Sequence, residues 1–385
     1  MNFMRQFSML ACAASILVPL GGMVDESSDR FEANQIEAAG LEFIGETTFA
    51  TGFSFENTEV GGLSGIDYDI ENDIYYAISD DRSNINDARF YTLTIDLSDG
   101  SLADGDVIFI DVATILDETG NPFAPSSVDP EAIRLDPDTE TLYWTSEGDA
   151  NALVAPFIRE MTLDGEFIRE FAPPQKYLPT ADDSNGIRNN LAFESLTFAF
   201  GGKQLITATE NALIQDGPEA SVTEGSPSRW LSFSIRHSRP NLELVYKVDP
   251  VAAEPIPADA FSTNGLVDIL AINSREFLTI ERSFSEGVGN GVRIYRVTVL
   301  GATNVSRFNS IEEAQQVTPV AKELLLDLGD LDIILDNIEG FTFGPILPNG
   351  QRSLILVSDN NFNVDGQFTQ FLAFAVLDNE DLERE

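Results

Sequence analysis

Short runs in which apolar and polar residues alternate recur along this chain, separated by clusters of Gly, Asp, Asn and Pro. That period of two predicts half-buried β-strands rather than helices. The runs also repeat in a fixed order. A small or acidic residue precedes alternating apolar positions, a turn follows, and a second apolar run ends on a carboxylate. The order is met in GGLSGIDYD from Gly61 with IYYAISDDR ending at Arg82, and in VDPEAIRLD from Val128 with LYWTSEGD ending at Asp149. It returns in LAFESLTFAF from Leu191 with LITATEN ending at Asn211, and in NIEGFTFGP from Asn337 with LILVSDNNF ending at Phe362. GLVDILAI from Gly265 with FLTIERSF ending at Phe284 is a weaker copy.

A third alternating run follows in each copy, starting at Phe90, Phe157, Arg229, Val292 and Phe371. A fourth follows in four of them, starting at Val107, Glu166, Leu242 and Glu323. Four antiparallel strands make one blade of a β-propeller. The last copy lacks its fourth strand, while LEFIGETTF from Leu41 is a strand without a copy. The chain is therefore expected to be an all-β, single β-propeller of five blades, closed into a ring by the N-terminal strand pairing with the last blade. An irregular sandwich or two tandem domains compete with this reading. Against them, no Pro-, Gly- and Ser-rich linker divides the chain, and the copies spread evenly from Gly61 to Leu377. The period of about 65 to 75 residues exceeds the roughly 40 to 50 of common blades, so long loops are inserted, and a sixth blade hidden in them is the alternative count. Loops are expected at Asp117 to Ser127, Ala172 to Asn189, Asp216 to Ser228, Pro250 to Ser262 and Ser283 to Gly291, and a short helix around Ser310 to Gln316.

At the N-terminus, Arg5 precedes the apolar run Phe7 to Leu20, then small residues, then the polar stretch Asp25 to Arg30. That is the layout of a signal peptide over residues 1–24, too short to span a bilayer, with the propeller domain at residues 41–377. The expected location is periplasmic or extracellular. Cys12 lies within the targeting run and is the only cysteine, so the mature chain would have no thiol. A lipid anchor at Cys12 is the less favoured alternative, because the apolar run continues past it. No membrane span and a monomeric state are expected.

Charge narrows the function. Against 22 Lys and Arg stand 64 Asp and Glu, a formal charge of -42. Such a surface repels nucleic-acid phosphates and anionic membranes, so nucleic acid is excluded as a partner. With a single histidine and no mature cysteine, multi-histidine zinc sites, thiol chemistry and Ser-His-Asp triads are excluded as well. The histidine itself, His237, is expected on the surface.

Two positions recur as carboxylates. Glu131, Glu194 and Glu339 open the first strand of their copies, where Ser64 stands in the first copy and Asp268 aligns only approximately in the fourth. Asp80, Glu147, Glu210, Glu281 and Asp359 close the second strand. The start of one strand lies beside the end of its hairpin partner, so both sets should meet at one mouth of the central channel. So many carboxylates either raise one another's pKa or call for a cation, and Ca²⁺ takes six to eight oxygen ligands. The competing role is capping turns and bonding the backbone of neighbouring blades, without metal. Asn190, Asn211, Asn337, Asn360 and Asn361 flank the same strand ends. The clusters around Asp67, Asp69, Glu71 and Asp73, and around Asp136, Asp138 and Glu140, fall between first and second strands and are expected to be turn residues. Arg82 and Arg282 stand beside strand-end acids and offer planar forks to an anionic substrate, or else pair with those acids.

The run GLSGIDYD with YYAISDDR, then VDPEAIRLDPDTETLYWTSEGD, NLAFESLTF with TATEN, FLTIERSF, and NIEGFTFGPILPNGQRSLILVSDNNF resembles the phytase-like, or "esterase-like activity of phytase", family from about Leu41 to Leu377. The resemblance implies a secreted or periplasmic propeller that hydrolyses a small-molecule phosphoester or ester. Its architecture is similar to that of alkaline β-propeller phytases, which hold Ca²⁺ at the channel mouth. By that likeness Asp80, Glu131, Glu147, Glu194, Glu210, Glu281, Glu339 and Asp359 would bind Ca²⁺, and Arg82 or Arg282 would orient phosphate. The chain lacks the dense Lys and Arg lining that an inositol polyphosphate would need. A non-catalytic, Ca²⁺-stabilised binding scaffold is the alternative.

Overall fold

The structure, a computed structural model, describes residues 38–382. The signal-peptide segment and Cys12 lie outside the described residues. β1 (Gly40–Ala50) and a small hairpin, β2 (Ser54–Phe55) and β3 (Thr58–Glu59), precede five four-stranded antiparallel sheets. Blade 1 holds β4 (Leu63–Asp69), β5 (Ile74–Ser79), β6 (Arg89–Ile95) and β7 (Val107–Thr114). In blade 2 these are β8 (Pro130–Asp136), β9 (Thr141–Ser146), β10 (Phe157–Thr162) and β11 (Phe167–Phe171). Blade 3 consists of β12 (Thr197–Ala199), β13 (Gln204–Ala208), β14 (Ser226–Ser234) and β15 (Arg239–Val248). Then come β16 (Ser262–Ala271), β17 (Glu276–Ser285), β18 (Gly289–Thr298) and β19 (Ala321–Asp327) of blade 4. Blade 5 has β20 (Asn337–Ile346), β21 (Arg352–Asp359) and β22 (Phe368–Leu377), with β1 as its fourth strand. The chain is thus a five-bladed propeller, closed as expected by pairing of the two ends, from Gly40 opposite Leu377 to Ala50 opposite Phe368.

The core is a set of layers between blades, not one central mass. Leu63, Tyr75 and Tyr91 of blade 1 pack on Ile355, Val357 and Phe371 of blade 5. Tyr76, Ile78 and Phe90 of blade 1 face Ile133, Leu142 and Trp144 of blade 2 on the other side. Similar layers join blades 2 and 3, 3 and 4, and 4 and 5. A middle strand therefore buries both faces, which is why β9 and β21 read as nearly unbroken apolar or small residues. The outermost strands are wetter: β7 leaves Ile108 and Ile110 exposed. Each large aromatic or aliphatic side chain buried in these layers contributes about 1.5–3 kcal/mol, so closing the ring stabilises both end blades.

Polar side chains fill the channel axis below its mouth. Arg134 of blade 2, 2% exposed, donates to Ile66 O of blade 1 at 2.7 Å, to Asp268 Oδ2 of blade 4 at 2.7 Å and to Phe341 O of blade 5 at 3.3 Å. Asp67 accepts from Leu135 N at 2.8 Å and from Thr342 Oγ1 at 3.0 Å. Burial raises the pKa of Asp67 and moves that of Asp268 to about 6, against the pull of Arg134. Two expectations are corrected here. Asp67 is a tie between blades rather than a turn residue, and Asp268 belongs to this plug, not to the mouth. Asp69 and Asp136 do serve their turns, accepting from Glu71 N at 2.9 Å and Asp138 N at 3.0 Å.

The segment Ser283 to Gly291 is a hairpin and not an open loop, since β17 and β18 stay paired out to Ser285 opposite Gly289. The helix expected near Ser310 is a single 3₁₀ turn, Ile311–Glu313, with Ser310 Oγ accepting from Glu312 N. His237 is exposed. Among the described residues no helix is long and apolar enough to cross a membrane; the α-helix α1 spans Asn379–Leu382.

Candidate metal and substrate site at the channel mouth

Each first strand carries one residue more than its partner near its start. Leu63 and Gly65 face Ser79 and Ile78; Pro130 and Ile133 face Ser146 and Trp144. Leu266 and Asp268 face Glu281 and Ile280; Ile338 and Gly340 face Ser358 and Val357. In blade 3 the same surplus lies between the Phe193–Thr209 bridge and the Thr197–Ile206 pair. A bulge of this kind turns the strand and re-aims a side chain. Glu131, Glu194 and Glu339 stand in the bulges of blades 2, 3 and 5 and line a cavity of about 1070 Å³ at the mouth. Ser64 stands in the bulge of blade 1, its hydroxyl donating to Glu131 O at 2.8 Å, and Val267 in that of blade 4.

The pairing also sets the second ring. Ser79, Ser146, Thr209, Glu281 and Ser358 are equivalent, each opposite the residue before the bulge. The next residues in sequence, Asp80, Glu147, Glu210, Arg282 and Asp359, form the ring. Glu281 is thus displaced from the place expected for it. It accepts from Tyr246 Oη at 2.7 Å and from Asn264 Nδ2 at 3.1 Å, and it pairs with Lys322 between blades 3 and 4, away from the cavity. Arg282 takes the fifth place, with Nη2 2.9 Å from Glu339 Oε1 and 3.7 Å from Glu210 Oε1.

On the side of blades 2 and 3 the acids crowd together. Carboxylate oxygens of Asp129, Glu131 and Glu147 lie within 4.8 Å of one another, as do those of Glu147, Glu194 and Glu210. Asp129 was not singled out in the sequence. It precedes the strand instead of closing one, and its only sequence signal is the acidic pair it forms with Glu131 around Pro130. Arg82 reaches it from blade 1, Nε to Oδ1 at 2.8 Å, while Arg82 Nη2 donates to Asn190 Oδ1 at 2.6 Å. On the blade 5 side, Asn337 Nδ2 donates to Glu339 Oε1 at 2.9 Å and to Asp359 Oδ2 at 3.1 Å. Asn361 lines the cavity, whereas Asn211 and Asn360 are spent on backbone, Asn211 accepting from Ala220 N and donating to Asn264 O, Asn360 accepting from Phe362 N and Gly62 N.

Burial, and then mutual repulsion, holds these acids protonated far above the ordinary carboxylate range. Burial raises Asp80, Glu131, Glu147 and Glu194 strongly, with neighbouring carboxylates adding to it. Asp359 is pushed up to about 8, and Glu210 and Asp129 to about 7, the last two restrained by Arg282 and Arg82. Glu339 is raised by burial, with Arg282 opposing it. Glu210 Oε1 and Asp80 Oδ1 are buried without a hydrogen bond. Two glycines make room for these acids. A Cβ on Gly265 would lie 2.0 Å from Glu210 Oε1, and one on Gly62, which also has φ of +61°, would lie 1.8 Å from Asp80 Oδ1.

The family model described as phytase-like, esterase-like activity of phytase, matches residues 58–362, a span that includes all the mouth residues named above. The chain belongs to the phytase-like family. No curated protein sequence matches this phytase-like chain. Among solved structures it is similar to the periplasmic gluconolactonase of Pseudomonas aeruginosa, at 10% identity over 88% of this chain and 96% of that one, with a TM-score of 0.35. It is also similar to a thermostable family-43 glycoside hydrolase, at 10% identity over 84% and 91% of the two chains, with a TM-score of 0.44.

Proposed function

We propose that this phytase-like propeller is an exported, Ca²⁺-dependent phosphoester hydrolase working at the channel mouth. One observation supports it most: Glu210, 2% exposed and grouped with Glu147 and Glu194, has a buried carboxylate oxygen that accepts no hydrogen bond. A buried carboxylate oxygen without a donor is costly, and an all-oxygen donor set of this density suits a hard divalent cation. Asp129, Glu131, Glu147, Glu194 and Glu210 would hold it, with Asp80, Glu339 and Asp359 around the rest of the ring. When bound, such a cation lowers the pKa of its water and takes up charge on phosphoryl oxygens.

The protein's own residues supply orientation. Arg282, with Nε lacking an acceptor, and Arg82 face the cavity as planar donors for the oxygens of a phosphate. The Arg134 plug closes the channel beneath them, so substrate enters and leaves by one mouth. Cation binding must displace protons from the raised carboxyls, so affinity should climb with pH through about 7 to 8.

The test is phosphate release from a generic phosphomonoester by protein loaded with Ca²⁺ and by protein stripped with chelator. Activity is expected only with Ca²⁺, and it should be lost in Glu194→Gln and Glu339→Gln. Turnover unaffected by thorough chelation would sink the reading. Melting that responds to chelator without turnover on any ester would favour the scaffold role, which the ties of Asn337 to two ring acids also suit. Export rests on the apolar run after Arg5, and the N-terminal sequence of protein recovered from expressing cells tests it.

A further inference from the structure

The cavity is chemically two-sided, which bears on what kind of ester it would take. Its carboxylates crowd on blades 2 and 3. Its side on blades 1, 4 and 5 carries, beside the ring acids Asp80, Glu339 and Asp359, a set of apolar side chains: Ile85, Phe261, Phe284, Leu335 and Phe362 all line it. Ile85 comes from the loop after β5, Phe261 from the turn before β16, Phe284 from the end of β17, and Leu335 and Phe362 from the loops before β20 and after β21. Phe261 is 63% exposed and Ile85 48%, while the rings of Phe261 and Phe284 sit 6.2 Å apart. Apolar side chains left open on the rim of an otherwise acidic cavity are a binding wall more readily than a packing surface.

Charge sets a second limit. The cationic side chains lining the cavity are Arg82 and Arg282, and each is already bonded to an acid, Asp129 and Glu339 respectively. One anionic head could be met by these donors and a cation on the carboxylates. A second anionic group would find no further cation in the lining, only neutral amides and a hydroxyl among more acids, including Glu219 and Asp365.

From these two observations we infer that the mouth selects esters with a single anionic group whose other end is aromatic or branched alkyl, with Phe261 and Phe284 as specificity-determining residues. Polyanionic polyol phosphates are excluded. The inference rests on the reading of the mouth as a site for anionic esters, and deepens it.

The test needs no turnover. Calorimetric titration of Ca²⁺-loaded protein compares two matched pairs of inert ligands, phenylphosphonate with methylphosphonate and phenylacetate with acetate. The aryl member of a pair should bind about tenfold more tightly, the usual scale for filling an apolar subsite. Phe261→Ser should bring that ratio close to one, and Phe261→Leu should restore most of it. The ring is largely exposed, so neither change threatens folding, and melting curves of both variants verify this. An aryl preference confined to the carboxylate pair would sustain this inference while the phosphoester reading failed. Equal affinities within both pairs, no binding by any of the four, or a ratio untouched by Phe261→Ser would overturn the inference and leave the wall as a docking face for another macromolecule.

Discussion

Arg282 is the one cation among the ring acids, and replacing it with Met gives a prediction whose sign depends on pH. The guanidinium lies 2.9 Å from Glu339 and 3.7 Å from Glu210, with its side chain only 13% exposed. Breaking a buried pair by removing one partner costs about 3–5 kcal/mol when the other stays charged. Here the acids left behind can escape by taking up protons. Without Arg282 both carboxyls rise further, since it is the main influence lowering Glu339 and Glu210 against burial. In metal-free protein at about pH 4, below the ordinary glutamate range from which both are raised, both would be neutral, and the variant should lose only the hydrogen bond, about 1 kcal/mol. By about pH 8.5 the folded state must either charge them unpaired or hold protons against solution, each unit of pH costing about 1.4 kcal/mol per proton. The destabilisation should grow to about 3–5 kcal/mol. Guanidinium unfolding of both proteins in chelator at the two pH values measures it. Added Ca²⁺ should then raise the melting temperature of the variant more than that of the wild type, because the cation replaces the missing charge. An equal loss at both pH values, or a variant less responsive to Ca²⁺, would refute the placement of Arg282 as the built-in counter-ion of the ring.

In the wild type, Asp129, Glu210 and Asp359 have folded pKa values of about 7, 7 and 8, above their unfolded values, so the folded state binds more protons over that range. Metal-free stability should therefore be full below about pH 4 as far as these groups go, and fall as pH rises towards 8, which a chelated melting series across pH reads; a rise instead would contradict the burial of this cluster. Gly265→Ala places a Cβ where Glu210 Oε1 stands, and should cost about 1–3 kcal/mol of stability while weakening Ca²⁺ binding measured by titration. Unchanged binding would separate Glu210 from the cation site. Arg134→Met strands Asp268 and Asp67 on the axis and should destabilise by about 3–5 kcal/mol, whereas adding Asp268→Leu should recover much of that loss in chemical unfolding. Failure of the second change to recover stability would mean that the plug is not held by this pair.

The strands and their grouping were legible in the sequence because alternation is a local signal. Runs such as IYYAIS and LYWTS are apolar wherever both faces of a middle strand are covered, and turn residues mark their ends. The five-fold count and the use of Leu41 onward as the closing strand followed from repetition alone, and Glu131, Glu194 and Glu339 were recognisable because each follows the same short pattern. Which side chain enters the channel was decided only in three dimensions. Within ERS, a one-residue difference in register exchanges Glu281 for Arg282, since neighbours on a strand point to opposite faces, and that register is set by a bulge on the opposing strand. Asp129 joins the cluster because blade 1 sends Arg82 across to it, and Arg134, Asp67 and Asp268 meet on the axis from three blades. Those distances exist only once the ring has closed, so no local pattern could carry them. The sequence by itself determined an acidic five-bladed ring; the tertiary structure decided that one place in it belongs to a cation, and on which side the carboxylates gather.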